Sequence, residues 1–391
     1  MTMTKILRTA ACLLAAAVAV TVGASAAVAD DRADDHAGLQ RVLDQAVADG
    51  MPGAIADVRD GRRSWFGTAG VADTETGRKR RQQEYFRAGS TTKTFVAVVV
   101  LKLVAEGRLS LDDTVDKWLP GMVRGNGHDG SKITIRQLLN QTSGIFPYTS
   151  DKDLATMQWS TAFLKGRFDS YSAADLVKIA MGNSASFAPG KGWGYSNTNF
   201  ILAGMIIEKV TGRSYAEEIT RRIIRPLGLR KTYLPGEEPK LRKPHAQHYF
   251  KFFIGEDTTT IYDLTDMNSS WAGAAGSIVS TTSDLHTFYR AVLSGRLLPP
   301  AQQKEMFTAV STKGVDWIDD TAYGLGVFSK KLSCGVTVWG NGGRTHGSWT
   351  TAMGSRDGKH MLVSNINGDW GNPMSILTKE MEAEMCPPSS K

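Results

Sequence analysis

The chain has 391 residues, 41% hydrophobic and 22% charged, with a formal net charge of +7. That length allows one large or two medium domains, and the composition excludes a disordered or fibrous chain. The basic run Arg78-Lys79-Arg80-Arg81 lies in a polar, Gly-containing stretch without interleaved aromatics, so it reads as a solvated turn and no nucleic-acid partner is expected.

In chain order, Lys5 and Arg8 precede the apolar run Ala10–Val22, and Ala27-Val28-Ala29 fits a small-residue cleavage site. Residues 1–29 are expected to be a signal peptide, the apolar run being too short for a stable membrane anchor. The mature protein is then secreted. Its cleavage takes away Cys12 and leaves Cys334 and Cys386, an even pair most simply joined as a disulfide in an exported protein. Strands are expected over 54–59 and 64–69, then a helix from Ser90 to Gly107. From Thr114 to Met267 the apolar spacing is mostly helical. Strand patterns return at 277–280, 324–328, 335–339, 349–353 and 361–365, and a helix over 373–385 closes the chain. Strands at both ends around a helical middle predict an α+β fold, an antiparallel sheet flanked by helices plus an all-helical insert. The domains are then 30–113 with 268–391, and 114–267.

Three stretches carry chemistry. In "RAGSTTKTF", Ser90 and Lys93 stand at i and i+3 on one helical face. A serine needs a neighbouring base to become a nucleophile, and burial lowers a lysine toward that role. The same pattern also describes an ordinary helix start, since Ser is a favoured N-cap. In "GYSNTNF", a glycine-rich loop presents Tyr195 and Asn197, a phenol whose phenolate form could relay a proton and an amide able to hold a substrate amide. In "WGNGGRTHGSW", glycines would let another backbone approach a strand end, giving one oxyanion N–H to set beside that of Ser90.

Together with "SWAGAAGSIVS", "YGLGVF", "LSCGVTVWGNGG" and "GSRDGK", these motifs resemble the serine D-alanyl-D-alanine carboxypeptidase and class C β-lactamase family, in particular its secreted, soluble DD-carboxypeptidases. Serine β-lactamases and penicillin-binding proteins join an S-x-x-K motif to two further elements, S-D-N and K-T-G. The resemblance implies a β-lactamase/DD-peptidase-like fold, Ser90 as acylated nucleophile, Lys93 as base, Tyr195 as proton relay, Asn197 as amide binder and Trp271 as an aromatic wall of the pocket. It also implies the Cys334–Cys386 disulfide.

The third motif departs from the family. Aligned without gaps it is Asn341-Gly342-Gly343, so a neutral amide replaces a basic residue, while His346 reads as a turn residue. Phe328 and Arg344 occupy places where the family's DD-carboxypeptidases hold a terminal carboxylate, and Arg344 is the one visible anchor for such a group. The expected function is a secreted DD-peptidase acting through a Ser90 acyl-enzyme on small peptides with D-amino acids, with β-lactams as acylating inhibitors. The alternatives are a D-aminopeptidase, D-amidase, esterase or secondary-metabolite peptidase on the same machinery, or a class C-like β-lactamase. No cofactor is expected, and His245-x-x-His248 alone does not make a metal site.

Overall fold

Residues 36–386 are described in a computed structural model; the expected signal peptide, with Cys12, lies outside the described residues. Eight antiparallel strands form the main sheet. They are β1 (Gly53–Asp60), β2 (Arg63–Gly70), β3 (Val310–Ser311), β4 (Thr321–Tyr323), β5 (Phe328–Lys331), β6 (Thr337–Thr345), β7 (Ser348–Gly354) and β8 (His360–Ile366), in the order β2-β1-β8-β7-β6-β5-β4-β3. The pairing of β1 with β8 joins the two ends of the chain in one sheet.

Two strand expectations shift. Residues 324–327 turn rather than extend: Gly326 has φ +71°, and an added Cβ there would lie 2.6 Å from Ala97. Conversely, β6 runs on to Thr345, through the whole glycine motif. Its partner β5 ends at the Phe328–Gly340 pair, so residues 341–345 pair with β7 on one side and have no strand on the other. That free edge is where the site lies. The expected strand near 277–280 shrinks to Val279–Ser280, paired with Phe86–Arg87 outside the main sheet.

One face of the sheet is covered by α1 (Ala37–Ala48) and α5 (Pro373–Met385). Leu39, Leu43 and Ala46 recur at helical spacing and are buried against this face with Leu377 and Met381. On the other face sits α2 (Thr92–Ala105), apolar on nearly every side and therefore enclosed on every side: Phe95 to Leu101 are all fully buried. It packs among α3 (Asn197–Thr211) and α4 (Thr282–Leu293). The middle of the chain, from which α3 comes, is mainly helical but not the all-helical insert expected, since Arg124–Gly125 pairs with His128–Asp129 and Tyr249–Phe250 with Tyr262–Asp263. Phe95 stacks on Phe288 of α4. Cys334, in the β5–β6 hairpin, is disulfide-bonded to Cys386 just past α5. Among the described residues no helix is long and apolar enough to cross a membrane.

The basic run is not the solvated turn expected. Lys79 and Arg81 are exposed, but Arg80 is buried, with Glu84 at 2.9 Å, Asn367 Oδ1 at 3.0 Å and Asn365 Oδ1 at 2.8 Å. Arg78 grips the other oxygen of Glu84 at 2.8 Å. The alternation follows from extended backbone, in which successive side chains point to opposite sides.

Glu380 of α5 is fully buried beside Ser364, which donates to it, and its other oxygen has no partner. Burial pushes its carboxyl up to about 8. The folded state therefore keeps a proton that the unfolded chain releases in the ordinary carboxyl range. This contribution to stability is complete below that range and is lost as pH rises toward about 8. Wild type is expected to lose stability relative to Glu380→Gln over that interval, at roughly 1.4 kcal/mol per unit of pH. Denaturant titrations of both proteins from pH 5 to 8 check the sign.

Candidate active site

Ser90 lies in the single 3₁₀ turn Gly89–Thr91 that feeds α2. Its hydroxyl caps nothing. It meets Lys93 Nζ at 2.9 Å and Tyr195 Oη at 2.8 Å, so the company expected of a nucleophile is assembled. One turn of helix brings Lys93 under Ser90, and the glycine-rich loop ahead of α3 brings Tyr195 and Asn197 from the helical middle of the chain.

Lys93 is fully buried, and desolvation holds its amine well below the ordinary lysine range. The neighbours suit the neutral amine. Asn197 Oδ1 and the carbonyl of Ala275, both at 2.7 Å, can only accept, which uses the two N–H bonds of an –NH₂ and leaves its lone pair for the Ser90 hydroxyl. Because acylation needs that neutral form, kcat/KM is expected to rise with pH as Lys93 loses its proton, with a midpoint far below the usual value near 10.5. A pH–rate profile on an uncharged substrate measures it.

Tyr195 does not fit the phenolate role suggested by its motif. Burial raises its pKa, so at neutral pH the phenol keeps its proton, donates it to Ser90 Oγ, and can deliver it to a departing nitrogen. Trp317 stacks on its ring, with centroids 4.6 Å apart. Asn197 acts on Lys93 directly, while its Nδ2 reaches Thr149 Oγ1 at 3.4 Å. The loop is held from below by Gln141, which takes φ +67°; its Oε1 accepts the backbone N–H of Ser196 at 3.0 Å and Asn199 Nδ2 at 2.6 Å.

Two glycines bring the Ser90 turn against the free edge of β6. A Cβ on Gly89, which has φ +55°, would lie 2.7 Å from Arg344 N; one on Gly343 would lie 2.1 Å from Ala88 O and 2.5 Å from Ser90 N. Neither position tolerates a side chain. The backbone N–H groups of Ser90 and Arg344 thus come together beside the nucleophile, the arrangement an oxyanion requires.

A cavity of about 190 Å³ opens beside Ser90 and Tyr195; Trp317, Phe328, Asn341, Gly343 and Arg344 also border it. Several expected binders have other duties. Asn341 donates to Thr94 Oγ1 at 3.2 Å and Gly326 O at 3.1 Å, fastening β6 to α2. Arg344 pairs with buried Asp369 at 2.9 Å and lies over the rings of Trp159, Phe253 and Trp349; this differs from a free carboxylate anchor. Trp271 does not border the cavity. It is 7% exposed and packs edge-on to His346, and Trp317 supplies the aromatic wall instead. His346 is in the turn after β6, as expected, but is also buried and stacked on Phe163, which pushes its imidazole down to about 3. It is no base. Among the described residues, the one cluster of three metal-ligating side chains is Cys334, Glu382 and Cys386, whose thiols are spent in the disulfide; His245 and His248 join no such cluster.

A family model described as Beta-lactamase matches residues 39–371. Penicillin-binding protein 4* of Bacillus subtilis is 30% identical over 70% of this chain and 58% of its own length. Esterase EstB of Burkholderia gladioli is 35% identical over 54% of each. The chain thus spans little more than half the length of these curated relatives. Among solved structures, a D-stereospecific amidohydrolase from Streptomyces sp. superposes with a TM-score of 0.83 at 49% identity, covering 90% of this chain and 98% of that one. The D-amino acid amidase of Ochrobactrum anthropi, in complex with L-phenylalanine amide, gives 0.77 at 25% identity over the same shares.

Proposed function

We propose, since the chain belongs to the β-lactamase family of serine hydrolases, that it hydrolyses amides and esters of D-amino acids through an acyl-enzyme on Ser90. One observation carries the reading: the complete Ser90–Lys93–Tyr195–Asn197 set sits in a chain 49% identical, over nine-tenths of its length, to a D-stereospecific amidohydrolase. The pocket agrees with it. Phe328 is apolar and Arg344 is committed to Asp369, so neither place demands an anionic terminus on the substrate.

Neutral Lys93 takes the Ser90 proton as Oγ attacks the acyl carbon, and the N–H groups of Ser90 and Arg344 hold the oxyanion. Collapse expels the amine or alcohol, protonated through Tyr195. Water then enters by the reverse proton path and frees the D-amino acid. The Cys334–Cys386 bond supports an exported location for this work, since such bonds persist in oxidising compartments.

The test is the release of ammonia from D- and L-phenylalanine amide by wild type and Ser90→Ala. Turnover of the D amide, with at least tenfold preference over the L amide and abolished in the variant, is expected; equal turnover of both isomers, or none, would sink the reading. The similarity to penicillin-binding protein 4* favours a second reading, a DD-peptidase. A lasting penicilloyl adduct on Ser90 in intact-mass spectra, joined to cleavage of D-alanyl-D-alanine peptides and inertness toward D-phenylalanine amide, would select it.

A further inference from the structure

The cavity beside Ser90 has a cause in the strand sequence. Along β6, residues 341 and 343 face α2, so 340, 342 and 344 face α5. Gly340 stands between Phe328 and Met353, and Gly342 opposite Thr351. The missing side chain of Gly342, which lines the cavity, helps leave a hollow there, roofed by Met374, Leu377 and Met381 of α5 and open toward Ser90 and Tyr195. Tyr195 is the donor to the departing group, so a hollow walled by Tyr195 and Trp317 lies on the leaving-group side.

Lys330 also lines this hollow, on the same face of β5 as Phe328. It is 7% exposed, its ammonium donates to the carbonyl of Asp319 at 3.0 Å, and among the described residues no carboxylate lies within ion-pair distance of it. An almost buried cation with two N–H bonds to spare, at the wall of a hollow whose other cation, Arg344, is already paired with Asp369, invites an anion.

We propose that this hollow is a leaving-group subsite for an apolar amino acid with a free α-carboxylate, the side chain lying on the methionine-rich roof and the carboxylate bound by Lys330. The enzyme is then a D-aminoacyl peptidase as well as an amidase, an inference that rests on the D-aminoacyl reading above. Lys330 is a specificity-determining residue: it takes over, two positions along β5, the anchoring that Phe328 and the committed Arg344 do not provide.

The experiment compares D-phenylalanyl-leucine, with leucine of either configuration, with the same dipeptides as carboxamides, in wild type and Lys330→Met. Within each protein the ratio of kcat/KM for free acid over carboxamide is taken, so that any loss of folded enzyme cancels. The ratio is expected to fall at least tenfold in Lys330→Met, mainly through KM. An unchanged ratio overturns the role of Lys330 while leaving the D-aminoacyl reading intact; wild-type inertness on every one of these substrates and on D-phenylalanine amide overturns both. Leu377→Trp, which fills the hollow, is expected to lower the preference for D-phenylalanyl-leucine over D-phenylalanyl-glycine at least fivefold, and an unchanged preference would place the leaving side chain elsewhere.

Discussion

Lys93→Met is expected to lower kcat/KM by about a thousandfold on every acyl substrate, within the 10²–10⁴ that a general base supplies. Methionine nearly matches the lysine stem and suits a fully buried site, so the fold should persist. What disappears is the lone pair that takes the Ser90 proton. The same change leaves Asn197 Oδ1 and the carbonyl of Ala275 without their donor, at about 1–3 kcal/mol each, so a lowered denaturation midpoint is expected alongside. Lys93→Arg should be equally inactive for another reason, since a guanidinium does not give up its proton. Because Ser90 and Lys93 act as one unit, the double variant Ser90→Ala/Lys93→Met should be no slower than Ser90→Ala alone. A Lys93→Met enzyme retaining a tenth of wild-type kcat/KM would show that another group is the base.

The residues of that unit were legible because their spacing is local: i and i+3 on a helix fix the Ser90–Lys93 contact wherever the helix goes. Tyr195 and Asn197 were legible through motif order. The main strands and α5 emerged from period and turn residues, with β7 and β8 within a residue at each end. Contacts across long separations left no such trace. Trp317 lies in the polar stretch "KGVDWIDDT", and only the folded chain lays it on Tyr195. Gln141 looks like one more loop residue, yet it holds the Tyr195 loop in place. Arg344 borders the cavity, but its partner Asp369 lies beyond the end of β8, and nothing in either local sequence announces the pair.

The basic run shows the same limit in energetic terms and yields the largest expected effect on stability. Four consecutive cations look solvated by composition, yet period-2 alternation sends Arg80 inward, where its side chain and that of Glu84 are both wholly buried. Arg80 ties the start of the chain to residues 365 and 367 at the end of β8. Arg80→Met should destabilise the protein by about 3–5 kcal/mol, because it leaves Glu84 and two asparagine carbonyls desolvated with fewer donors, the usual result of removing one partner of a buried ion pair. The double variant Arg80→Met/Glu84→Leu should recover a good part of that loss, since it removes the stranded charge as well, and Arg78 is a third exposed and can turn to water. Urea midpoints of the three proteins decide it. Recovery identifies stranded charge as the main cost; a double variant weaker than Arg80→Met would mean that the asparagine contacts and the packing around them matter more than the ion pair.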